Sequence, residues 1–374
     1  MSGRQLLLDT ILKRPTRRVP VSPFIYNNVV SEANGGEPED PILACAQLYR
    51  KYGFDIILRN YTLNAVWDAA QPDSDAWRVE KKLTGDVGNA WDEETTITTP
   101  ERTLTQVRSF RQITPNIAVA ATGKYFIQGP EDFDQFVKYQ PPVGVADLSV
   151  IAHARDVVGN DGIACTWIQG AFNYVESYRG LQDLLTDPYD DEGFYGAMMD
   201  YFADRNYEMT RQVIAAGSDL ICIEANMATG TMAGPRMFAD YIMEYEERLI
   251  DLIHAQGCYA MYHNCGDGKG LLALIDQMSM DIYESLTPPP FGDTILTEAL
   301  QTIRPPKVLL GNLDQVDFLV HATPEQVRHR TREILEAAKQ RGHFILATSD
   351  YISEGTPEEN LFAFAQAARE FGDY

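Results

Sequence analysis

The sequence predicts an α/β protein, a (β/α)8 TIM barrel with a β-hairpin insertion after the second strand. Three observations predict it. Eight short apolar runs recur along the chain, helical patterns separate most of them, and polar residues gather just past their ends. The runs are residues 19–26, 55–58, 163–168, 220–224, 259–263, 281–284, 308–311 and 344–348. Runs this short and this continuously apolar suit parallel strands covered on both faces. Strand then helix, repeated eight times, is the pattern of the barrel.

Residues 3–14 read as an amphipathic helix with Leu6, Leu7, Ile11 and Leu12 on one side, ended by Pro15. Helical patterns over 39–52, 192–216 and 235–256 precede the second, fourth and fifth strands. Two later helices carry start signals, Thr323-Pro324-Glu325-Gln326 and Thr356-Pro357-Glu358-Glu359. In each, threonine caps, proline suits the first helical position and Gln or Glu closes a capping box. The exception to the alternation is residues 63–150. This stretch holds Trp67, Trp77, Trp91 and threonine-rich strand-like runs at 93–100 and 103–110. It reads as a hairpin excursion, a lid or rim, within a single domain spanning residues 1–374.

Composition narrows the class. With 45% hydrophobic and 23% charged residues the chain is ordinary for a globular enzyme and buries a large core without staples. A net charge of −23 repels phosphate backbones and anionic lipid heads, which argues against nucleic acid and membrane surfaces as partners. The five cysteines are scattered without CxxC spacing, which fits a reducing compartment. The first residues lack a long apolar core, and no run approaches a membrane span, so the expectation is a cytoplasmic protein. The insertion offers a contact surface for a homo-oligomer.

The stretch with chemistry in it is Cys258-Tyr259-Ala260-Met261-Tyr262-His263-Asn264-Cys265-Gly266-Asp267-Gly268. Side chains two apart on a strand share a face, so His263 and Cys265 project side by side at a strand's C-terminal end. An imidazole and a thiolate so placed make half of a zinc site. On spacing alone, a buried histidine beside an ordinary free cysteine is the favoured account of the pair, because one His-x-Cys pair is only half a site. Glu224 ends the preceding strand. It reads either as a third ligand, leaving an open fourth position for catalysis, or as a capping or solvated glutamate.

In such barrels chemistry lies just past the strand ends. Those positions hold Tyr26, Asn27, Tyr61, Phe172, Tyr174, Asn226, Tyr283 and Asp350. Any one of these aromatics is ordinary rim packing. Together at a barrel mouth they favour an aromatic or otherwise uncharged small ligand, with Asn27 or Asn226 orienting it.

His263-Asn264-Cys265-Gly266, the Glu224 strand end, Gly311-Asn312-Leu313-Asp314 and Ser349-Asp350 with Thr356-Pro357-Glu358-Glu359-Asn360 resemble the uroporphyrinogen decarboxylase superfamily. The resemblance covers nearly the whole chain after the first helix. It implies one of two chemistries on a (β/α)8 barrel. The metal-free decarboxylases bind a polycarboxylate through arginines on the first barrel loop. Here that loop, Pro20-Val21-Ser22-Pro23-Phe24-Ile25-Tyr26-Asn27-Asn28, holds no arginine, and carboxylates need cations. The other branch is the cobalamin-dependent methyltransferases, which bind zinc through a His-x-Cys pair and a later cysteine. That later cysteine falls at Ser349, leaving Glu224 or Asp350 to complete the set beside His263 and Cys265.

The resemblance therefore implies a zinc-dependent methyltransferase acting between a small methyl donor or acceptor, such as an aryl methyl ether, and a corrinoid carried by a partner protein. No Asp-x-His-x-x-Gly corrinoid motif is present, which assigns that cofactor to the partner. A metal-free decarboxylase and a non-catalytic binding barrel are the competing readings.

Overall fold

The computed structural model describes residues 2–72 and 74–374. The chain forms two compact units, one comprising Met1–Thr62, Leu148–Ile168 and Val213–Tyr374, the other Leu63–Asp147 and Gln169–Gln212. In chain order the strands are β1 (Ile56–Leu58), β2 (Arg78–Asp86), β3 (Ala90–Thr98), β4 (Thr103–Thr114), β5 (Ile117–Lys124), β6 (Gly162–Gln169), β7 (Leu220–Glu224), β8 (Tyr259–His263), β9 (Ile282–Glu284), β10 (Val308–Leu313) and β11 (Phe344–Thr348).

The first unit is built on a seven-stranded sheet in the order β1-β6-β7-β8-β9-β10-β11. Its registered pairs run parallel. Residues 19–26, expected as a strand, form no regular ladder. Pro20 and Pro23 have no N–H to donate, so the segment bonds only at intervals. Those bonds nonetheless reach both edges of the sheet. Ser22 donates its N–H to Leu346 O at 2.8 Å and Leu346 donates to Pro20 O at 2.9 Å, while Asp55 N donates to Val21 O at 2.8 Å. Asp55 also accepts from Val21 N at 2.8 Å and takes both Nη atoms of Arg18 at 2.8 and 2.7 Å.

Alternation along these strands builds the interior. Ile57, Ile163, Cys165, Leu220, Cys222, Met261, Ile282, Val308, Leu310, Ile345 and Ala347 form one cluster with Leu7 and Ile11 of the helix Gly3–Ile11. That helix is held by Arg4, whose Nη atoms donate to Asp219 at 2.8 and 2.6 Å. Stepping two residues onward from the uppermost apolar residue of each strand keeps the same face and gives Arg59, Trp167, Glu224, His263, Glu284, Asn312 and Ser349. An apolar interior is thus topped by a polar layer.

The helices largely follow their sequence signals. Thr323 forms a capping box with Gln326 at the start of Pro324–Ala338. The second expected box does not form. The last helix begins at Glu358, and Thr356 donates its hydroxyl to Ser353 O at 2.8 Å instead of capping. The helix expected over 235–256 is Gly234–Met237 and Met243–Ala255 joined by a π turn, Phe238–Ile242.

In the second unit β2–β5 form a four-stranded antiparallel sheet in sequence order, where a hairpin was expected. Beside it, Phe133, Phe136, Tyr178, Tyr201 and Phe202 pack ring against ring.

Lys307 is an expensive residue in the first unit. It is 7% exposed, its ammonium donates to Met278 O, and burial pulls its pKa down to about 8. Between pH 8 and its unfolded value the unfolded chain binds more protons, so stability rises with pH across that window and the full cost stands at pH 7. Replacing Lys307 with Met removes the cost and frees one carbonyl. The expected result is a melting temperature raised by roughly 2 °C at pH 7, with a smaller gain at pH 10. An equal gain at both pH values contradicts this account.

Candidate active site

Strand β8 brings His263 to the top of the sheet, where it is 4% exposed. Its register partners are Glu224 on β7 and Glu284 on β9. Glu284 is fully buried, and its two oxygens receive the Nη atoms of Arg59, itself 1% exposed. Burial alone would raise the Glu284 pKa, but Arg59 and then His263 pull it down to about 2. An ionised carboxylate only accepts, so the 3.1 Å contact between His263 Nδ1 and Glu284 Oε2 requires the proton on Nδ1. The other ring nitrogen, Nε2, lies 4.0 Å from Asp350 Oδ2. Burial opposes charge on this imidazole, but Glu284 and Cys265 together hold its pKa well above the ordinary value.

Ligand atoms of His263, Cys265 and Asp350 all lie within 4.8 Å of one another. Asp350 follows β11 and accepts the N–H of Tyr351 at 2.7 Å. An imidazole nitrogen, a sulfur and a carboxylate at this spacing form a donor set that suits zinc, with the histidine oriented by a buried carboxylate as metal-bound histidines commonly are. Glu224, expected as the third ligand, stands outside this triple. Asn226 Nδ2 donates to its Oε1 at 3.2 Å. Burial raises its pKa, while His263 lowers it and Asp350 raises it further. Ser349 donates to Gln315 Oε1 at 2.8 Å.

Aromatic rings surround the cluster. Trp167 meets the His263 ring edge-on at 5.0 Å and donates its indole N–H to Arg59 O at 2.9 Å. Phe24 lies 5.5 Å from Trp167, 5.6 Å from Tyr26 and 6.1 Å from Tyr351, and the Arg59 guanidinium sits 3.9 Å over its ring centre. Tyr26 and Tyr351 are 6.0 Å apart.

Other residues expected to touch substrate are occupied elsewhere. Tyr61 is buried and bonds Thr166 Oγ1 at 2.9 Å. Asn27 accepts from Asn60 at 2.9 Å. Both line a cavity of about 600 Å³ with Asp40, Pro41 and His153, none of which belongs to the His263 cluster. Tyr283 alternates with Glu284 and so points away from the polar layer; it is buried, its hydroxyl close under Gly268. Phe172 and Tyr174 belong to the second unit. Phe172 is fully buried there, and Tyr174 packs on Tyr178 at 5.4 Å and Phe202 at 6.0 Å.

Residues 164–371, over half the chain, match the family model for uroporphyrinogen decarboxylase (URO-D). The chain belongs to the URO-D family. The resemblance carried by His263-Asn264-Cys265-Gly266 and the later strand ends is borne out at that level. Among curated proteins this URO-D member is 29% identical over 185 residues to a methylated-thiol--coenzyme M methyltransferase of Methanosarcina mazei, covering 50% of this chain and 46% of that protein. It is 22% identical over 253 residues to the methylcobamide:CoM methyltransferase MtbA of the same organism, covering 66% and 70%. The chain thus spans about half the length of the first of these relatives.

Among solved structures, a methyltransferase from Methanosarcina mazei superposes with a TM-score of 0.69 at 15% identity, covering 99% of both chains. A B12-independent methionine synthase from Shewanella sp. W3-18-1 gives 0.55 at 14% identity, covering 94% and 98%. At these identities the two structures speak for the fold alone. Among the described residues no helix is long and apolar enough to cross a membrane.

Sequence reasoning missed Arg59. Its signal was there, since a lone arginine follows Ile56-Ile57-Leu58 in the inward register.

Proposed function

We propose that this URO-D member is a zinc-dependent methyltransferase, moving a methyl group between a small substrate and a corrinoid supplied by a partner protein. The observation that carries the reading is the triple of His263, Cys265 and Asp350 above an apolar interior. The methyltransferase names of the relatives support it. The reading takes the chain as one (β/α)8 barrel domain, with residues 19–26 in the first strand's place and about 63–150 inserted after the second.

His263, Cys265 and Asp350 would hold the zinc, which when bound supplies Lewis-acid polarisation of a substrate heteroatom. Glu284 keeps the proton on His263 Nδ1 and fixes the ring's orientation. Trp167, Phe24, Tyr26 and Tyr351 exclude water and offer ring faces to a flat, uncharged group such as an aryl methyl ether. Glu224 and Asn226, linked to each other, orient that group from the β7 side. Arg59 is spent on Glu284 and is not free for a substrate carboxylate. That favours methyl transfer over a metal-free decarboxylase, whose acid substrate needs free cations.

The test mixes the protein with cob(I)alamin and methoxyaromatic donors and follows the methylcobalamin spectrum. A second arm offers methylcobalamin and a thiol. The expected result is methyl transfer in one arm, with about one zinc per chain and activity lost on chelation and regained on adding zinc back. Full activity in chelated protein overturns the zinc assignment, and silence in both arms overturns methyl transfer.

A further inference from the structure

We propose that strand β2 is a self-complementary edge through which two copies of this chain pair, joining their four-stranded sheets across a two-fold axis. β2 lies at one end of the order β2-β3-β4-β5, and all nine of its residues are exposed. Its pairing with β3 is regular from Arg78↔Thr98 to Asp86↔Ala90, so its outer edge is straight and open to another strand. The opposite edge, β5, is shielded differently. Its register with β4 shifts between Val107 and Arg108 and again between Gln112 and Thr114. Bulges of this kind twist an edge away from pairing.

The sequence of β2, Arg78-Val79-Glu80-Lys81-Lys82-Leu83-Thr84-Gly85-Asp86, selects the partner. A two-fold axis perpendicular to the sheet keeps each side chain on its own face, so only registers centred on a residue are allowed. Centred on Lys81, Glu80 of each copy faces Lys82 of the other, and Val79 faces Leu83. Opposite charges and apolar side chains are the pairs that stabilise neighbouring strands. Val79 and Leu83 are 47% and 53% exposed in the single chain. Lys81 meets itself on the axis, but Asp68 Oδ2 lies 2.6 Å from its ammonium and carries the opposing charge.

The neighbouring registers fail. Centring on Glu80 sets it against itself and Arg78 against Lys82; centring on Lys82 sets it against itself and Lys81 against Leu83. β2 also suits a second copy electrostatically. The chain as a whole carries −23, which keeps copies apart, while β2 holds three cations against two carboxylates.

Sedimentation or light scattering on the full chain at micromolar concentration tests this, with circular dichroism confirming that each variant folds. Wild type is expected at twice 42.0 kDa. Glu80→Lys alone and Lys82→Glu alone each place like charges across the axis and are expected as monomers. Mixed together, those two single variants complement each other and give a heterodimer. The double variant Glu80→Lys/Lys82→Glu restores the pairing within one chain and returns the dimer. A monomeric wild type overturns the proposal. So does a Glu80→Lys chain that remains dimeric, or two single variants that fail to associate when mixed.

Discussion

Glu284→Gln is expected to cost both stability and metal affinity. Both oxygens of Glu284 face Arg59, and one also takes His263 Nδ1, all three side chains being buried. An amide offers one acceptor in place of two and turns an NH2 toward a donor. The guanidinium then stays buried without its counter-charge, which costs on the order of 3–5 kcal/mol. For a chain of this size that corresponds to a fall in melting temperature of roughly 5–10 °C.

Loss of the carboxylate also frees the His263 ring, and losing such an outer partner weakens metal binding by about 10–100-fold. The two effects separate in a double variant. Arg59→Met with Glu284→Leu replaces the buried pair by apolar side chains, which is commonly neutral for stability. It is expected to recover the melting temperature and not the metal affinity. Recovery of both would show that Glu284 acts on the fold alone.

The same pair fixes an acid limb. Glu284 is held at about 2, below its ordinary value, so its contribution is complete above the unfolded pKa and is lost as pH falls toward 2. The melting-temperature gap between wild type and Glu284→Gln is therefore expected to narrow as pH falls from 5 toward 3. A gap that widens on acidification contradicts the assignment.

The parallel strands were legible because each is a local signal, a short apolar run bounded by turn residues. His263, Cys265 and Asp350 were legible as polar residues at strand ends. Which of them converge was not, because convergence depends on how the strands turn in three dimensions. From the sequence Glu224, on the strand beside His263, was the expected third ligand, and Asp350, past the last strand, the alternative to it. The structure clusters Asp350 with the pair and leaves Glu224 to Asn226.

The Arg59–Glu284 pair joins residues 225 positions apart, so no window of sequence holds both. Alternation was the one available clue, since each stands two residues beyond an inward apolar residue, Ile57 and Ile282. The first strand failed as a ladder through its own prolines. The insertion held two strands beyond a hairpin, Arg78–Asp86 and Ile117–Lys124, nearly all of whose residues are exposed. Such strands lack the hydrophobic pattern by which a strand is recognised.

Variants of the triple carry the largest expected effect on function. His263→Ala removes the one nitrogen that Glu284 presents, and Cys265→Ser exchanges a thiolate for a neutral hydroxyl that binds zinc poorly. Each is expected to lower zinc affinity by more than the roughly 10–100-fold that an outer partner is worth, and methyl transfer with it. Asp350→Asn keeps the size and the N–H acceptor but loses the charge, so its zinc affinity is expected to fall between those of wild type and Cys265→Ser. Glu224→Gln separates the two assignments of the third ligand. If Asp350 completes the set, Glu224→Gln retains about one zinc per chain and shows its defect in substrate affinity. If Glu224 is the ligand, zinc is lost there and kept in Asp350→Asn. Metal analysis of these variants, each checked for folding by its melting curve, decides between the two carboxylates whether or not the substrate is known. Unchanged zinc content in both His263→Ala and Cys265→Ser removes the metal from the site altogether.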